Sequence, residues 1–227
     1  MQNKKIKYQL FEQKYLKSII ECINQCKGQS GAYDKDLGIY EEVTEDNCIF
    51  KLYPESCNTT IIAVDESKGD FVCGICPGIQ LLNYMQDLRQ ECFENIVNER
   101  NLLDLQLLEP LIELNKYNKE SLMIMNFGVR QGYENLKIGS NLIYLFSLNA
   151  KRLGYYLAAG LVYNPKSAHV FYKQNYQLFG QLDLIQQNLS EEIKQKVKSK
   201  YMFLMINLVQ KSISDSKTQP TVQQSRL

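Results

Sequence analysis

Nowhere does the sequence reach the roughly 18 to 20 consecutive apolar residues that a membrane-spanning helix needs. Its basic N-terminus, MQNKKIKYQLFEQKYLK, is not followed by an unbroken apolar segment either. The chain therefore reads as soluble and cytoplasmic, with no membrane partner. An excess of one charge is also missing: 26 lysines and arginines face 25 aspartates and glutamates. No global field steers it to nucleic acid or to an anionic surface. There is no linker rich in proline, glycine or serine. With 227 residues and 44% hydrophobic content, that predicts a single domain over residues 1–210 with one sizeable core and a helical insertion near 80–116. From Lys211 the sequence KSISDSKTQPTVQQSRL is polar and aperiodic, which predicts a disordered tail over 211–227.

The seven cysteines are odd in number and lack the spacing of a disulfide framework, which suits a reducing compartment. CGIC, Cys73 to Cys76, has the spacing of zinc and redox sites, and Cys22 and Cys26 lie one helical turn apart. But FVCGICPG reads as a strand, where residues three apart point to opposite faces. Buried free thiols are thus expected, and no metal.

Periodicity orders the rest. IKYQLF alternates as a strand, and Leu16, Ile19, Ile20 and Ile23 form a helical stripe. NCIFKLY, TTIIAVDES and DFVCGICPG read as strands, the last two joined as a hairpin through Lys68 and Gly69. Residues 80–116 turn helical, with a break expected near Pro110. SLMIMNFGV is a buried strand. It leads through the loop VRQGYENLKIGSN into a helix with the stripe Ile138, Leu142, Phe146, Ala150 and Leu153, stopped at Gly154. A strand (YYLAAGLVY), a short helix opened by Pro165, a strand (YQLFGQLDL), a polar helix around 190–198 and a last strand (YMFLMINLV) follow.

Strand, tight loop and helix start together make a phosphate cradle, because backbone N–H groups converge where a helix begins. The loop has neither the GKS or GKT of a P-loop nor an early GxGxxG. Its surroundings are more specific. After a strand ending in Val129, the run Glu134, Asn135, Leu136, Lys137, Ile138, Gly139 falls where a motif Arg/Gln-x-x-Gly-x-Gly/Ala would fall, followed by Ser140 and the helix. Downstream, Asn164, Ser167, Phe171, Lys173, Asn175 and Tyr176 fit the pattern Asn, x, x, small, three residues, aromatic, x, Lys, x, Gly, Phe.

In these motifs the chain resembles the GNAT superfamily of acetyl-CoA-dependent N-acetyltransferases. The resemblance covers roughly residues 60–185, and is closest to the insect-type arylalkylamine N-acetyltransferases. It implies an α/β (α+β) fold: a mixed, mostly antiparallel central sheet flanked by helices, with a splayed strand pair at the cofactor site. It also implies acetyl-CoA as co-substrate, held by Phe127, Val129, Glu134, Asn135, Lys137, Ile138, Gly139, Ser140 and Asn164, and a small amine as acceptor. The amine would attack the thioester directly, so the protein must route its proton, stabilise an oxyanion and supply an acid for the departing thiolate.

The tyrosine that usually protonates that thiolate aligns with Phe171, while Tyr172 lies about 100° further round the helix. Ser167 matches the serine on which insect-type members rely. Asp34 or Asp36 stands in for their glutamate, and Asn126 is placed to orient a water. His169, the only histidine, reads as an exposed helix residue. Each candidate has a plainer alternative: Ser167 in helix packing, Asp34 and Asp36 in a turn. Glu134 puts an acid where the motif is neutral or basic, and Lys137 replaces a glycine. These departures and Phe171 leave a catalytically silent subunit of a larger assembly as the alternative function. A zinc-binding module using CGIC is a third class.

Overall fold

The computed structural model describes residues 4–28, 35, 41–93, 99–115, 121–187, 189 and 191–209. The predicted tail lies outside them. Strand β1 (Ile6–Leu10) leads into helix α1 (Leu16–Lys27), whose Ile19, Cys22 and Ile23 are buried. The run expected as a strand at NCIFKLY is instead the one-turn helix α2 (Ile49–Leu52), followed by α3 (Ser56–Thr59). Its apolar residues Cys48, Ile49 and Phe50 are consecutive and all buried, with Phe50 stacked on Phe11 at 4.2 Å. So short an apolar run does not separate the two periodicities.

Strands β2 (Ile61–Asp65) and β3 (Phe71–Cys76) form the expected antiparallel hairpin, turned at Gly69 with φ +69°. The pairing shifts by one residue between Ala63 and Val64, leaving Cys73 as a bulge. As a result Cys73 and Cys76 enter the same core, where an unbulged strand would have separated them. After Pro77 the same run continues as β4 (Gly78–Gln80). Helices α4 (Leu81–Phe93) and α5 (Glu99–Asn115) make up the excursion, and α5 runs through Pro110 rather than breaking there. Losing one N–H and one helical hydrogen bond does not stop a helix whose Leu103, Leu107, Leu108 and Leu111 are all buried.

Strand β5 (Ser121–Ile124) and the two-residue β6 (Gly128–Val129) precede α6 (Ile138–Arg152). Then come β7 (Leu157–Val162), α7 (Pro165–Lys173), β8 (Gln177–Asp183), α8 (Glu191–Lys196) and β9 (Tyr201–Leu208). The strands lie in two sheets, ordered β1-β2-β3-β6 and β4-β5-β7-β9-β8. Among the described residues every pairing is antiparallel except β5 with β7.

Two cores cover the sheets. One gathers α1, α2, α4 and α5, with Ile19, Phe50, Met85 and Leu108 among its buried members. The other is filled from α6 and α7 by Ile138, Leu142, Phe146 and Phe171. No helix among the described residues is long and apolar enough to cross a membrane.

Candidate active site

The site begins where strand pairing fails. β5 and β7 run parallel from Ser121 opposite Leu157 to Ile124 opposite Gly160. There the first strand leaves its neighbour. Met125 donates its N–H to the Pro77 carbonyl at 3.0 Å, Asn126 turns at φ +47°, and the chain resumes as β6 beside β3 in the other sheet. Arg130 then donates its N–H to the Cys73 carbonyl at 2.9 Å. Backbone donors alternate along a strand, so the N–H group of Val129 points away from β3, into the gap left by β7.

A cavity of about 670 Å³ occupies this gap. Its lining draws on both faces of the sheet. Val129, Ile138, Val170 and Phe171 come from the α6–α7 side, and Tyr84, Met123, Tyr163 and Met202 from the α1–α5 side. It is a passage that reaches from one face of the sheet to the other.

At one end sits the loop from Arg130 to Lys137. Tyr133 N–H closes its first turn on the Arg130 carbonyl at 3.1 Å, with Gly132 at φ +85°. Asn135 and Lys137 then take φ +64° and +59°. Lys137 thus adopts the left-handed conformation that glycine takes without strain, at a cost of roughly 1–2 kcal/mol. Asn175, at φ +63°, does the same where the second motif has its glycine. Lys137 and Asn175 thus hold, at the two motif glycine positions, the left-handed backbone that glycine takes. Ile138, Gly139 and Ser140 line the cavity, bringing to it the N–H groups that a helix start leaves without intrahelical partners.

Close packing fixes that helix start. A β-carbon on Gly139 would stand 3.2 Å from Phe127 Cζ, and one on Gly74 would stand 2.9 Å from Ile138 Cγ2. The loop is anchored from below by Tyr133, which is buried and donates its hydroxyl to Asp65 Oδ2 at 2.7 Å. Its ring lies on Phe71 and under the Lys4 ammonium, which also donates to the Gly132 carbonyl. Burial and the adjacent Asp65 carboxylate both push the Tyr133 hydroxyl up. For Asp65 burial works against the charge, but hydrogen bonds from Ser67 and Tyr133 outweigh it and hold the carboxyl below its usual range. Arg130, also buried, donates Nη2 to the Ser18 carbonyl at 2.7 Å and stacks on Phe71.

Of the residues expected from sequence, Asn126, Phe127, Val129, Glu134, Asn135, Lys137, Ile138, Gly139, Ser140, Asn164 and Ser167 all line this one cavity. Glu134 folds back to accept the Gly132 N–H at 2.7 Å, so its carboxylate is engaged within the loop. Asn164 caps α7, accepting the Lys166 N–H at 2.8 Å. Tyr172 is half exposed and is not among the lining residues, and His169 is exposed on the same helix. Phe171 is buried edge-on to Phe127 and Tyr176, in space that Gly160 leaves open. Asp34 and Asp36 lie outside the described residues.

The thiols pack into walls. Cys26 lies against Gly128, where a β-carbon would come within 2.6 Å of its Sγ. A hydrogen bond from Cys26 and the nearby Arg130 lower the Cys22 thiol, despite its burial. Cys73 donates to the Ala63 carbonyl at 3.3 Å, and burial pushes it up to about 12. Among the described residues no group of three or more His, Cys, Asp or Glu side chains is placed to hold a metal ion.

Sequence reasoning missed the far end of the passage. There Tyr84 on α4 donates its hydroxyl to Asp104 Oδ2 on α5 at 2.6 Å, and both residues line the cavity. The only signal was an acid inside the otherwise leucine-rich run LLDLQLL.

The split parallel strand pair, with a loop and a helix start at the split, belongs to the fold that the chain shares with GNAT N-acetyltransferases. No known family profile matches the chain, and no curated protein matches it in sequence. Solved structures do. Arylalkylamine N-acetyltransferase 2 from Aedes aegypti superposes at a TM-score of 0.70 with 13% identity, over 90% of this chain and 99% of that one. The Drosophila melanogaster polyamine N-acetyltransferase, an enzyme that forms N-acetylagmatine, gives 0.66 with 11% identity, over 90% and 100%. The NatC complex bound to Gag peptide and CoA gives 0.54 with 12% identity, over 90% and 98%.

Proposed function

We propose that the protein is an acetyl-CoA-dependent N-acetyltransferase that acts on a small amine. The observation that carries this reading is the passage through the sheet, with the Val129 N–H facing into it and the α6 N-terminus at one end. Coenzyme A fits the donors present. The Ile138, Gly139 and Ser140 N–H groups suit a pyrophosphate, and Lys137, Lys166 and Lys173 line the same cavity. The Val129 N–H holds the thioester carbonyl and stabilises the oxyanion that develops on it.

An acceptor entering from the α4–α5 side reaches the carbonyl carbon from the opposite face. Attack by the amine forms the C–N bond, breaks the C–S bond, and sends one proton from nitrogen and one proton to sulfur. Ser167, on the cavity wall, is the donor we assign to the thiolate. Asn126, at the strand break, orients a water that carries the amine proton away.

Phe171 favours a second reading, a silent binding subunit, because it fills with a hydrocarbon ring the place where a proton donor would stand. Calorimetry with acetyl-CoA, followed by an assay for released thiol with phenethylamine and 1,4-diaminobutane, separates the two. Micromolar binding with turnover supports the transferase. Binding without turnover of any amine leaves the silent subunit, and no binding at millimolar cofactor sinks both uses of the cleft.

A further inference from the structure

Two thiols and a buried arginine meet behind the cofactor strand. Cys22 and Cys26 lie one turn apart on α1, Cys22 buried and Cys26 part of the cavity wall. Cys26 donates a hydrogen bond to the Cys22 sulfur. Arg130, only 8% exposed, stands beside Cys22. Its Nη2 is held by the Ser18 carbonyl and meets the Glu21 carboxylate at 3.5 Å, while its buried Nε has no hydrogen-bond partner among the described residues. A donating thiol and a guanidinium both favour a charged sulfur, so the pair gives up its first proton more readily than a lone thiol in an apolar wall would. The charge rests on Cys22. One proton moved along the hydrogen bond puts it on Cys26, the sulfur that faces the cavity.

Cys26 packs on Gly128, whose carbonyl carbon is bonded to the Val129 nitrogen, the donor assigned to the thioester. The sulfur of a bound coenzyme A is thereby brought to the wall that Cys26 forms. The thiol pair does not close on itself. Side chains four apart on a helix keep their β-carbons roughly 5–6 Å apart, against the roughly 3.5–4.5 Å of a disulfide. Helix α1 is held in place by its buried Ile19 and Ile23. An adduct on Cys26 is therefore not released by Cys22.

We propose that Cys26, paired with Cys22, is a thiol-exchange site that captures coenzyme A from coenzyme A disulfide and so closes the passage. This rests on the transferase reading, because the cofactor's own contacts draw the reagent in. The Cys26 sulfur attacks one sulfur of the disulfide: an S–S bond forms to the protein, the reagent's S–S bond breaks, and one coenzyme A departs with the proton that the pair gave up. The protein sulfur is oxidised and the departing sulfur reduced. Because the passage reaches both faces of the sheet, the reagent's second half has the acceptor side to occupy. The tethered coenzyme A, at an effective concentration of roughly millimolar or more, then excludes acetyl-CoA.

The test exposes the full chain to coenzyme A disulfide or glutathione disulfide at equal concentration, read by intact mass and peptide mapping, with calorimetry of coenzyme A binding in parallel. Wild type should gain one coenzyme A, on Cys26, at least about tenfold faster than it gains glutathione, since the passage holds the reacting sulfurs together. Saturating acetyl-CoA should suppress the adduct, a readout that needs no variant. The adduct should lower acetyl-CoA affinity by about a hundredfold or more, and dithiothreitol should restore it. Cys26→Ser should gain no coenzyme A, and Cys22→Ser should react about threefold to tenfold more slowly, through a smaller thiolate fraction on Cys26.

If coenzyme A binds but its disulfide reacts no faster than glutathione disulfide, or reacts at another cysteine, the inference is overturned and the transferase reading stands. A Cys22→Ser rate equal to that of wild type overturns the part given to the pair. Absence of coenzyme A binding takes down the transferase reading, and the inference with it.

Discussion

The two ends of the passage are built from different parts of the chain's chemistry. At the α6 end the contacts come from backbone: the N–H of Val129, the first donors of a helix, and a loop whose path is set by φ angles at Gly132, Asn135 and Lys137. At the α4–α5 end they are two side chains, Tyr84 and Asp104, on two different helices. A site made of main chain survives the replacement of nearly every side chain around it, provided the path is kept. A site made of side chains does not. This accounts for a fold shared with solved acetyltransferases at 11 to 13% identity, and for a lysine in the loop and an asparagine after α7 where the two motifs have glycine.

The sharpest way to break the contrast is to block the backbone end with bulk. Gly139→Trp has no room beside Phe127 and should lower acetyl-CoA affinity by at least about a hundredfold, some 2.7 kcal/mol. An unchanged cofactor affinity would remove the loop from the site.

Ser167→Ala should come next. If Ser167 gives the proton to the thiolate, kcat falls by about a hundredfold with KM for acetyl-CoA nearly constant, since general acid catalysis contributes on that scale. A kcat within twofold of wild type would reassign Ser167 to packing.

Tyr133→Phe tests the anchor beneath the loop. It leaves the buried Asp65 carboxylate one hydrogen bond short and should cost about 1.5–3 kcal/mol in denaturant unfolding. It should also move acid unfolding. The folded-state carboxyl of Asp65 is held below its unfolded value near 3.9, so its stabilisation is present above that pH and is lost as pH falls through the depressed folded value. With Tyr133 gone that folded value rises, and less stability remains to lose as pH falls below the unfolded value. A pH–stability curve of unchanged slope would contradict the role given to this bond.

The smallest effect belongs to Lys137→Gly. Release of left-handed strain, roughly 1–2 kcal/mol, outweighs the extra chain entropy of glycine, about 0.5–1 kcal/mol. The variant should therefore melt a few degrees higher while losing only a fewfold in cofactor affinity. A lower melting temperature would show that the lysine side chain contributes more than its backbone costs.

The same contrast explains what could be read from the residues in order. Val129, Gly139 and the Asn164 to Tyr176 segment were legible because a helix start, a tight turn and a cap are local demands that leave marks at fixed spacing. The element order followed from periodicity for the same reason. Tyr84 and Asp104 stand 20 residues apart on two helices, and nothing in either helix announces the other. The bulge at Cys73 depends on the partner strand, so CGIC looked two-faced when it is not. Ile49 and Phe50 formed a run too short to declare its period. Glu134, a concern when read beside a phosphate motif, turned out to satisfy a donor of its own loop.

Pro77 carries a last consequence. The run from Phe71 to Gln80 is one stretch of chain that pairs with β2 and β6 on one side of the proline and with β5 on the other. Because one run of chain supplies a strand to each sheet, heat or denaturant should take both sheets in one transition. The cleft thus lies along a crease where one run of chain passes from the first sheet to the second.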